Sequence, residues 1–351
     1  MCMKKWARAA FIMALLTTVS AVSAEQEVVL YNWAQYMDPA ILEDFHRETG
    51  IRVVEIHYES DQTKDDLLAL NGGAGMDLMI TSSVTLPVYA SVGWIQPWGE
   101  MENWQHVDSR WYESLPPEHQ RLGVPLLWGT VGILYRKDRV DRPDSWLALF
   151  RPRDKLAGKI MLTDDVKDVF GLALKALGFS LNSTDYEENQ QAAELLGVLA
   201  RSRPVFGYPV LNAHNALSRG QVLMAMIYNG DAITLQDEDD RLAFVVPREG
   251  TNLWLDSIAL FRDAPHPEVA RTFVEYLLRP DVAARLSTYL SFATANRDAL
   301  PLLPDTLRNN DIVYPPDDVM ARSEMFRPLP DSVMRMRQMY FSKIRTNDQG
   351  G

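Results

Sequence analysis

The sequence predicts an α/β protein made of two lobes, each a mostly parallel sheet flanked by helices. Short apolar strands alternate with amphipathic helices in two separate stretches of the chain, a pattern typical of parallel strands joined by crossover helices. The length of 351 residues suits about two domains. No Gly- or Ser-rich linker separates the two stretches. We therefore expect the chain to pass between the lobes as ordered strands, with a cleft between them.

The first stretch contains three predicted strands and two predicted helices. In chain order, these are strand 27–33, helix 39–49, strand 51–58, a helix that includes 67–70, and strand 76–81. Asp38 is expected to cap the first helix and Pro39 to occupy its first position, because the side chain of Asp accepts a free backbone N–H and Pro lacks one. Gly50 marks the end of that helix.

The pattern repeats in the middle and at the end of the chain. We predict strand 159–163, helix 166–177, helix 187–200, strands 222–228, 242–246 and 253–261, helix 267–278 and a C-terminal helix 331–344. Asp164 is expected to cap the helix that starts at 166. Pro280 is expected to end the helix before it.

Residues 1–24 have the pattern of a secretory signal. Lys4, Lys5 and Arg8 precede an apolar run at 9–19, and small residues up to Ala24 fit a cleavage site. The apolar run is shorter than the roughly 20 residues that a membrane-spanning helix needs. Cys2 would leave with this segment, so the mature chain would have neither a disulfide nor a thiolate. We expect an exported protein located in the periplasm.

The overall charge argues against a nucleic-acid partner. The chain has 47 acidic and 35 basic residues, a formal net charge of −12, and three of the basic residues lie in the predicted signal. A negative surface repels phosphate backbones and attracts cations. The hydrophobic content of 47% is that of a folded protein with a core.

Motifs for nucleotide binding, nucleophilic catalysis or zinc binding are missing from the sequence. An enzymatic alternative depends on Asp164, Asp165 and Asp168, which follow a predicted strand where ligands of open α/β sheets bind. These acids would suit Mg²⁺, or one of them would pair with Asp256 for acid–base chemistry. No nucleophile accompanies them, and we expect no cofactor.

Aromatic residues stand beside acids at several predicted strand ends. In chain order they are Trp33, Tyr36, Tyr228, Asp231, Trp254 and Asp256. Aromatic faces attract ammonium groups by cation–π contacts of about 0.5–2 kcal/mol, and carboxylates accept charge-assisted hydrogen bonds from them. Each single Trp is also open to ordinary core packing, which is the interpretation we give to Trp94, Trp98, Trp104 and Trp111.

Long stretches of the chain resemble the periplasmic polyamine-binding proteins, the spermidine and putrescine receptors of bacterial ABC transporters. The similar stretches are VVLYNWAQYMDPAILEDFHRETGIRV, MDLMITSS, VPLLWGTVGILY, KIMLTDDVKDVFGLALKALG, AMIYNGDA, FVVPREGTNLWLDSIAL, EYLLRPDVA and VYPPDD. The resemblance implies a two-lobed periplasmic binding fold of type II. The first lobe would be 25–131 plus 255–300, and the second 132–254 plus 301–345. The VPLLWGTVGILY and NLWLDSIAL strands would form the crossovers.

The resemblance also implies a ligand cage. Its residues would be Trp33, Tyr36, Ser82, Asp165, Asp168, Tyr228, Asp231, Trp254, Asp256 and Phe292. Within the cage, Trp254 would flank the methylenes of the ligand and Asp256 would take an amino group. Asp231 matches an acid of the putrescine-type branch. Four acids favour a triamine over a diamine as the first expectation.

Several positions depart from the family pattern. Tyr228 stands where a Trp is usual, Phe292 replaces a Tyr, and Asp168 is shorter than the usual Glu. Val84 replaces an aromatic residue of the spermidine type, and Phe326 falls where that type has a polar amide. The class of ligand survives these changes, but its length does not follow from them.

The resemblance implies a monomeric binding protein that delivers a polyamine to the permease of an ABC uptake transporter. Some members of the family instead report polyamine to a membrane receptor that controls cyclic-di-GMP and biofilm formation. Both roles would use the same cleft, so its residues do not separate them. A metal-dependent periplasmic enzyme is the remote third alternative.

Overall fold

The computed structural model describes residues 26–113 and 115–346, so the predicted signal segment 1–24 lies outside the described residues. The strands of this part are β1 (Gln26–Trp33), β2 (Ile51–Tyr58), β3 (Leu78–Ser82), β4 (Ile95–Gln96), β5 (Val124–Arg136), β6 (Ile160–Leu162), β7 (Val205–Phe206), β8 (Met224–Tyr228), β9 (Leu242–Val245), β10 (Asn252–Phe261), β11 (Ala293–Thr294) and β12 (Glu324–Met325). The α-helices are α1 (Pro39–Thr49), α2 (Asp61–Asn71), α3 (Leu86–Ser91), α4 (Leu147–Phe150), α5 (Val166–Ala176), α6 (Tyr186–Ala200), α7 (Asn229–Glu238), α8 (Pro267–Leu277), α9 (Pro280–Leu290), α10 (Asp305–Arg308), α11 (Asp317–Met320) and α12 (Asp331–Thr346).

The strands form a mixed sheet in the order β2-β1-β3-β10-β5-β8-β6-β7. The outer strands of both halves pair in parallel: β1 with β2 and β3, and β6 with β7 and β8. The central strands β10 and β5 run antiparallel to each other and to the flanking strands β3 and β8. The predicted α/β class with helices flanking the strands is confirmed; the sheet is mixed, and its two halves are joined through these central strands.

Strand β5 belongs to both halves of the sheet. All of its 13 residues are buried. Its residues up to Thr130 pair with β10, and those from Val131 onward pair with β8 and β9. We propose that the lobes meet along β5 and β10. The lobe limits remain a prediction. Leu303 and Val313, which we assigned to the second lobe, pack in one cluster with Trp111 and Trp128, which we assigned to the first.

The start and end of α1 follow the predicted signals. The side chain of Asp38 accepts a hydrogen bond from the backbone N–H of Ala40, and Pro39 occupies the first turn. Gly50 ends the helix in a left-handed conformation, with φ of +73°, which a residue without Cβ adopts at little cost. The prediction for this helix is confirmed.

Helix α2 begins six residues before the predicted stretch at 67–70. Ser60 and Thr63 form a reciprocal capping box at its start. The first turns are polar, so apolar periodicity does not reveal them. This earlier start is what places Asp61 and Lys64 on a helix.

The capping residue of α5 is Asp165, and the expectation that Asp164 caps this helix was wrong. A carboxylate oxygen of Asp165 accepts from the backbone N–H groups of Lys167 at 2.6 Å and Asp168 at 3.3 Å. Asp164 instead pairs with Arg345 on α12 at 2.9 Å. The two adjacent acids are equivalent in sequence, and only the turn geometry selects one of them as the cap.

Two large apolar clusters form the cores of the two halves. The first contains Phe45, Ile80 and Phe273, and the second contains Ile133 and Phe170. Trp254 packs against both clusters. The interpretation of Trp98, Trp104 and Trp111 as packing residues is confirmed, since at most 5% of each side chain is exposed.

No helix within 26–113 or 115–346 is long and apolar enough to cross a membrane.

Gly250 lies in the turn that leads into β10 and leaves no room for a side chain. Its φ is +80°, and a Cβ there would lie 2.2 Å from the carbonyl oxygen of Arg322. We expect Gly250→Ala to lower the free energy of unfolding by roughly 3 kcal/mol, measured by urea denaturation. Gly158→Ala is the matched control, because Gly158 has φ of +68° but no neighbouring atom within 4 Å. This control should lose only about 1 kcal/mol. An equal loss in both variants would contradict the contact with Arg322.

Candidate functional site

The predicted cage residues gather where strands of both halves end. Trp33 and Ser82 are the last residues of β1 and β3, and Tyr228 is the last residue of β8. Trp254 and Asp256 lie in β10, between the two halves. Ligands of open α/β sheets bind at such carboxyl ends of strands.

Asp256 is held by Tyr36 from the first half of the molecule. The hydroxyl of Tyr36 donates to Asp256 Oδ2 at 2.7 Å, across 220 residues of sequence. Burial, together with the negative charge of Asp61, raises the pKa of Asp256 to about 6, although Tyr36 and the nearby ammonium groups of Lys64 and Lys167 lower it. An ionised Asp256 therefore carries a desolvation cost that a cationic ligand would offset.

Asp168 is held by two donors from the second half and β10. The hydroxyl of Tyr228 donates to Asp168 Oδ2 at 2.8 Å, and Asn252 Nδ2 donates to Asp168 Oδ1 at 3.1 Å. Only 3% of Asp168 is exposed. Burial and the charge of Asp165 raise the pKa of Asp168 above its ordinary value.

Asp231 is held by Tyr208, which the sequence analysis did not select. The hydroxyl of Tyr208 donates to Asp231 Oδ2 at 2.5 Å and accepts from the backbone N–H of Tyr228 at 3.1 Å. Burial raises the pKa of Asp231 to about 6. The ring centroids of Tyr208 and Tyr228 lie 5.9 Å apart. Asp168 and Asp231 therefore accept their hydrogen bonds from two neighbouring tyrosines.

Trp254 forms an aromatic wall with residues of both halves. Its ring meets Phe292 edge-on at 4.7 Å and Tyr228 edge-on at 6.2 Å between ring centroids. Tyr36 lies 6.0 Å from Phe292. Phe292 is 7% exposed and packs within the first core. The structure thus brings the predicted cage residues Tyr36, Trp254, Phe292 and Tyr228 into one connected group.

Trp33 and Ser82 lie on the same side of the molecule as Asp256. Ser82 pairs directly with Asp256 in the β3–β10 register. Trp33 pairs with Tyr58 in the β1–β2 register, and their rings lie 4.3 Å apart. Strand β1 is the neighbour of β3, so Trp33 is one strand further from Asp256 than Ser82.

A row of ion pairs that was not predicted from the sequence connects the two halves. Lys64 Nζ donates to Asp61 Oδ1 at 2.6 Å, and Lys167 Nζ donates to Asp61 Oδ2 at 3.1 Å. Lys167 Nζ also lies 3.7 Å from Asp165 Oδ2. Burial alone would raise the pKa of Asp61, but the charges of Lys167 and Lys64 outweigh it and lower that pKa to about 2. The Asp61–Lys64 spacing on α2 was the one available signal, but such a pair is also typical of an exposed helix face.

Phe326, a departure from the family pattern, packs on α5. A Cβ at Gly171 would lie 2.8 Å from Cε1 of the Phe326 ring. The ring therefore covers the helix whose first turn carries Asp165 and Asp168.

The site contains acidic groups without cationic partners. Among the described residues, none of Asp168, Asp231 and Asp256 forms an ion pair with Lys or Arg. In the same part of the chain, Asn252 Oδ1 and Trp254 Nε1 are buried without a hydrogen-bond partner. Residues 26–113 and 115–346 contain no group of three or more His, Cys, Asp or Glu placed to hold a metal ion. The arrangement can bind a group that brings positive charge and N–H donors.

The chain is similar to known proteins over nearly its whole length. Residues 40–312 match the family model described as bacterial extracellular solute-binding protein. The chain is 32% identical to the putrescine/agmatine-binding protein of Pseudomonas aeruginosa, over 96% of this chain and 98% of that protein. It is 31% identical to the spermidine/putrescine-binding periplasmic protein of Salmonella typhimurium, over 98% and 99%. The solved structure of a putative spermidine/putrescine ABC transporter from Listeria monocytogenes superposes with a TM-score of 0.81 and 27% identity, covering 91% of this chain and 99% of that one.

Proposed function

The chain belongs to the bacterial extracellular solute-binding proteins, and we propose that it binds a polyamine in the periplasm and delivers it to an ABC uptake transporter without chemical turnover. The observation that carries this proposal is a set of three carboxylates that the fold shields from water: Asp168 is buried, and Asp231 and Asp256 are half-buried. Each accepts a hydrogen bond from a tyrosine hydroxyl, and none has a cationic partner among the described residues. Ammonium groups of a ligand would supply the missing positive charge.

The chemistry of the site favours an amine over a neutral ligand such as a sugar. A neutral ligand would cover the three carboxylates and increase their desolvation without adding charge. An ammonium N–H would also satisfy the free acceptor Asn252 Oδ1, although a sugar hydroxyl would do the same, so the preference for an amine depends on the carboxylates. The aromatic wall around Trp254 would contact the methylenes that separate two ammonium groups.

The relatives support the same class of ligand. One relative carries putrescine and agmatine in its name and another carries spermidine and putrescine, and both match nearly the whole chain. Because such relatives are periplasmic, we also propose that residues 1–24 form a cleavable signal. The inner-membrane permease of an ABC transporter is then the partner, and the mature protein acts as a monomer.

The proposed mechanism is closure of the two lobes around the ligand. Tyr36 and Ser82 come from the first half of the sheet, and Asp168 and Asp231 from the second half. Trp254 lies between them and packs against both cores. A ligand that contacts both groups would favour the closed arrangement by its differential affinity for it.

Isothermal titration calorimetry of the mature protein tests the proposed function. We expect saturable binding of 1,4-diaminobutane or spermidine at pH 8. Binding of 1-aminobutane should be at least a hundredfold weaker. Its single ammonium group cannot reach both Asp256 in the first half and the pair Asp168 and Asp231 in the second half. Glutamate serves as the negative control. No detectable binding of any diamine or triamine would refute the proposal.

Polyamine affinity is expected to fall about tenfold or more between pH 8 and pH 5.5. The pKa values of Asp256 and Asp231 are both raised by burial to about 6, whereas polyamine ammonium groups stay protonated over this range. Binding requires the ionised carboxylates, and these groups are partly protonated near pH 6, so polyamine binding at that pH should release protons. Calorimetry in two buffers with different ionisation enthalpies measures that release.

The same carboxyl groups have the opposite effect on the stability of the ligand-free protein. Their folded-state pKa values lie above the unfolded value of about 3.9, so their contribution is present below about pH 4 and is lost as the pH rises through about 6. Consequently, added polyamine should raise the melting temperature more at pH 8 than at pH 5.5. A pH-independent affinity with no proton release would contradict this prediction.

A further inference from the structure

The ammonium group of Lys64 is enclosed by the protein on the side of the cleft that belongs to the first half of the sheet. The side chain is fully buried. Its Nζ donates to Asp61 Oδ1 at 2.6 Å and to Thr81 Oγ1 at 2.8 Å. Three aromatic rings surround it at 5.4–5.9 Å from Nζ to the ring centroids. We call this group the Lys64 cage; it consists of Asp61, Thr81, Trp33, Tyr58 and Tyr89.

The Lys64 cage has the composition expected of a binding site for a ligand ammonium. It provides a carboxylate, a hydroxyl acceptor and aromatic faces, which are the groups that hold ammonium ions in proteins. It is also continuous with the proposed cleft through Trp33. The neighbouring strands β2, β1, β3 and β10 carry Tyr58, Trp33, Ser82 and Asp256 in that order, the first three at strand ends and Asp256 within β10 beside Ser82. The cage thus occupies the outer end of the row that starts at Asp256.

A second lysine reinforces the positive charge at this end. Lys167 Nζ lies 3.1 Å from Asp61 Oδ2 and 3.7 Å from Asp165 Oδ2. Asp61 and Asp165 therefore have cations supplied by the chain itself. Of the predicted cage acids, Asp168, Asp231 and Asp256 form no ion pair with Lys or Arg within residues 26–113 and 115–346.

These three carboxylates define two acidic ends. At the end in the second half, Asp168 and Asp231 accept hydrogen bonds from the hydroxyls of the neighbouring residues Tyr228 and Tyr208. Asp256 is bound by Tyr36 in the first half. A ligand with one ammonium group at each end satisfies both. A ligand that extends past Asp256 along the first half would bring a further ammonium toward Lys64, where like charges repel.

We infer that Lys64 takes the place of a ligand ammonium at the Trp33 side of the cleft and so selects a diamine over a triamine. This inference rests on the proposed function. It differs from the first expectation from the sequence, which counted four acids and favoured a triamine; the structure adds Asp61 to the acids and two lysines that neutralise part of them. Lys64 is then the residue that determines ligand length.

The test compares 1,4-diaminobutane with spermidine in wild-type protein and in Lys64→Met. We expect wild type to bind the diamine at least tenfold more tightly, and Lys64→Met to shift this ratio toward spermidine by at least tenfold. In the variant Asp61 keeps its ion pair with Lys167, and Met fills a similar volume. Lys64→Arg retains the charge and should retain the preference for the diamine. Lys175→Met is the matched control, since Lys175 is a 9% exposed lysine paired with Glu324 at 2.7 Å; it should leave the ratio unchanged.

Each outcome has a distinct meaning. Wild type that prefers spermidine, or a diamine-to-triamine ratio equal in wild type and Lys64→Met, would overturn the role of Lys64 while leaving polyamine binding intact. Wild type that binds no polyamine would instead refute the proposed function. If Lys64→Met does not fold, the wild-type ratio and the Lys64→Arg ratio still decide the inference.

Discussion

Asp256→Asn is expected to weaken polyamine binding by about 100-fold or more at pH 8. Removing one partner of a desolvated, hydrogen-bonded charge pair costs about 2–5 kcal/mol, because the remaining charge stays buried without compensation. Asn still offers an oxygen to the hydroxyl of Tyr36, which donates to Asp256 Oδ2 at 2.7 Å in the wild type. The loss would therefore report the missing charge and not a broken Tyr36 contact. Calorimetric titration of both proteins with 1,4-diaminobutane gives the two dissociation constants.

The stability of the same variant separates lost binding from lost folding. Burial raises the pKa of Asp256 to about 6, so above that pH the ionised carboxylate disfavours the folded ligand-free state. At pH 8 the ligand-free Asp256→Asn protein should melt at or above the wild-type temperature. Asp281→Asn is the control, since it changes only an exposed pair with Arg279 and should preserve affinity. An affinity loss below threefold in Asp256→Asn would exclude this carboxylate as a ligand contact.

Asp61→Asn is expected to lower the free energy of unfolding by about 2–4 kcal/mol at neutral pH. Lys64 is fully buried, and without Asp61 its ammonium would lose its only carboxylate partner among the described residues. Breaking a buried ion pair by removing one partner is strongly destabilising for this reason. The pKa of Asp61 is lowered to about 2, below its unfolded value, so its contribution is present above about pH 4 and is lost as the pH falls toward 2. The urea midpoint of the ligand-free protein measures the loss.

A double variant identifies the cause of that loss. Asp61→Asn combined with Lys64→Met removes both charges of the pair, so no ammonium group is left buried without a carboxylate partner. The double variant should therefore recover much of the stability that Asp61→Asn loses. If the double variant is as unstable as the single one, the unpaired ammonium of Lys64 is not the cause.

Local signals predicted most of the elements that build the sheet. The start of α1 at Pro39, its end before Gly50 and the bounds of β2 (Ile51–Tyr58) are as expected, because caps and apolar alternation act over a few residues. The polar first turns of α2 were missed, and so was α9, which begins at Pro280 immediately after a helix that the same proline was expected to end. Proline both stops one helix and starts the next, and the sequence alone does not distinguish the two roles.

The candidate site likewise contains residues that were predicted from the sequence and residues that were not. The aromatic and acidic residues at strand ends, among them Trp33, Tyr228 and Asp231, stand out in the sequence because topology brings such ends together. The partners Tyr208 and Asn252 did not stand out, since a tyrosine in a loop and an amide at the start of a strand have many ordinary uses. Their role depends on contacts of 20 to 84 residues in sequence separation.

The sequence by itself determined the α/β class, most of the strands and the acidic, aromatic character of the candidate site, because these follow from periodicity, caps and residue chemistry, and the long similar stretches identified the family. Only the tertiary structure decided which acids already have a cation. Lys64 looks like a solvated lysine on a polar helix until Trp33, Tyr58 and Tyr89 from three other segments enclose it. Burial makes this ammonium group a fixed part of the site, because electrostatic interactions are stronger where neighbouring groups exclude water.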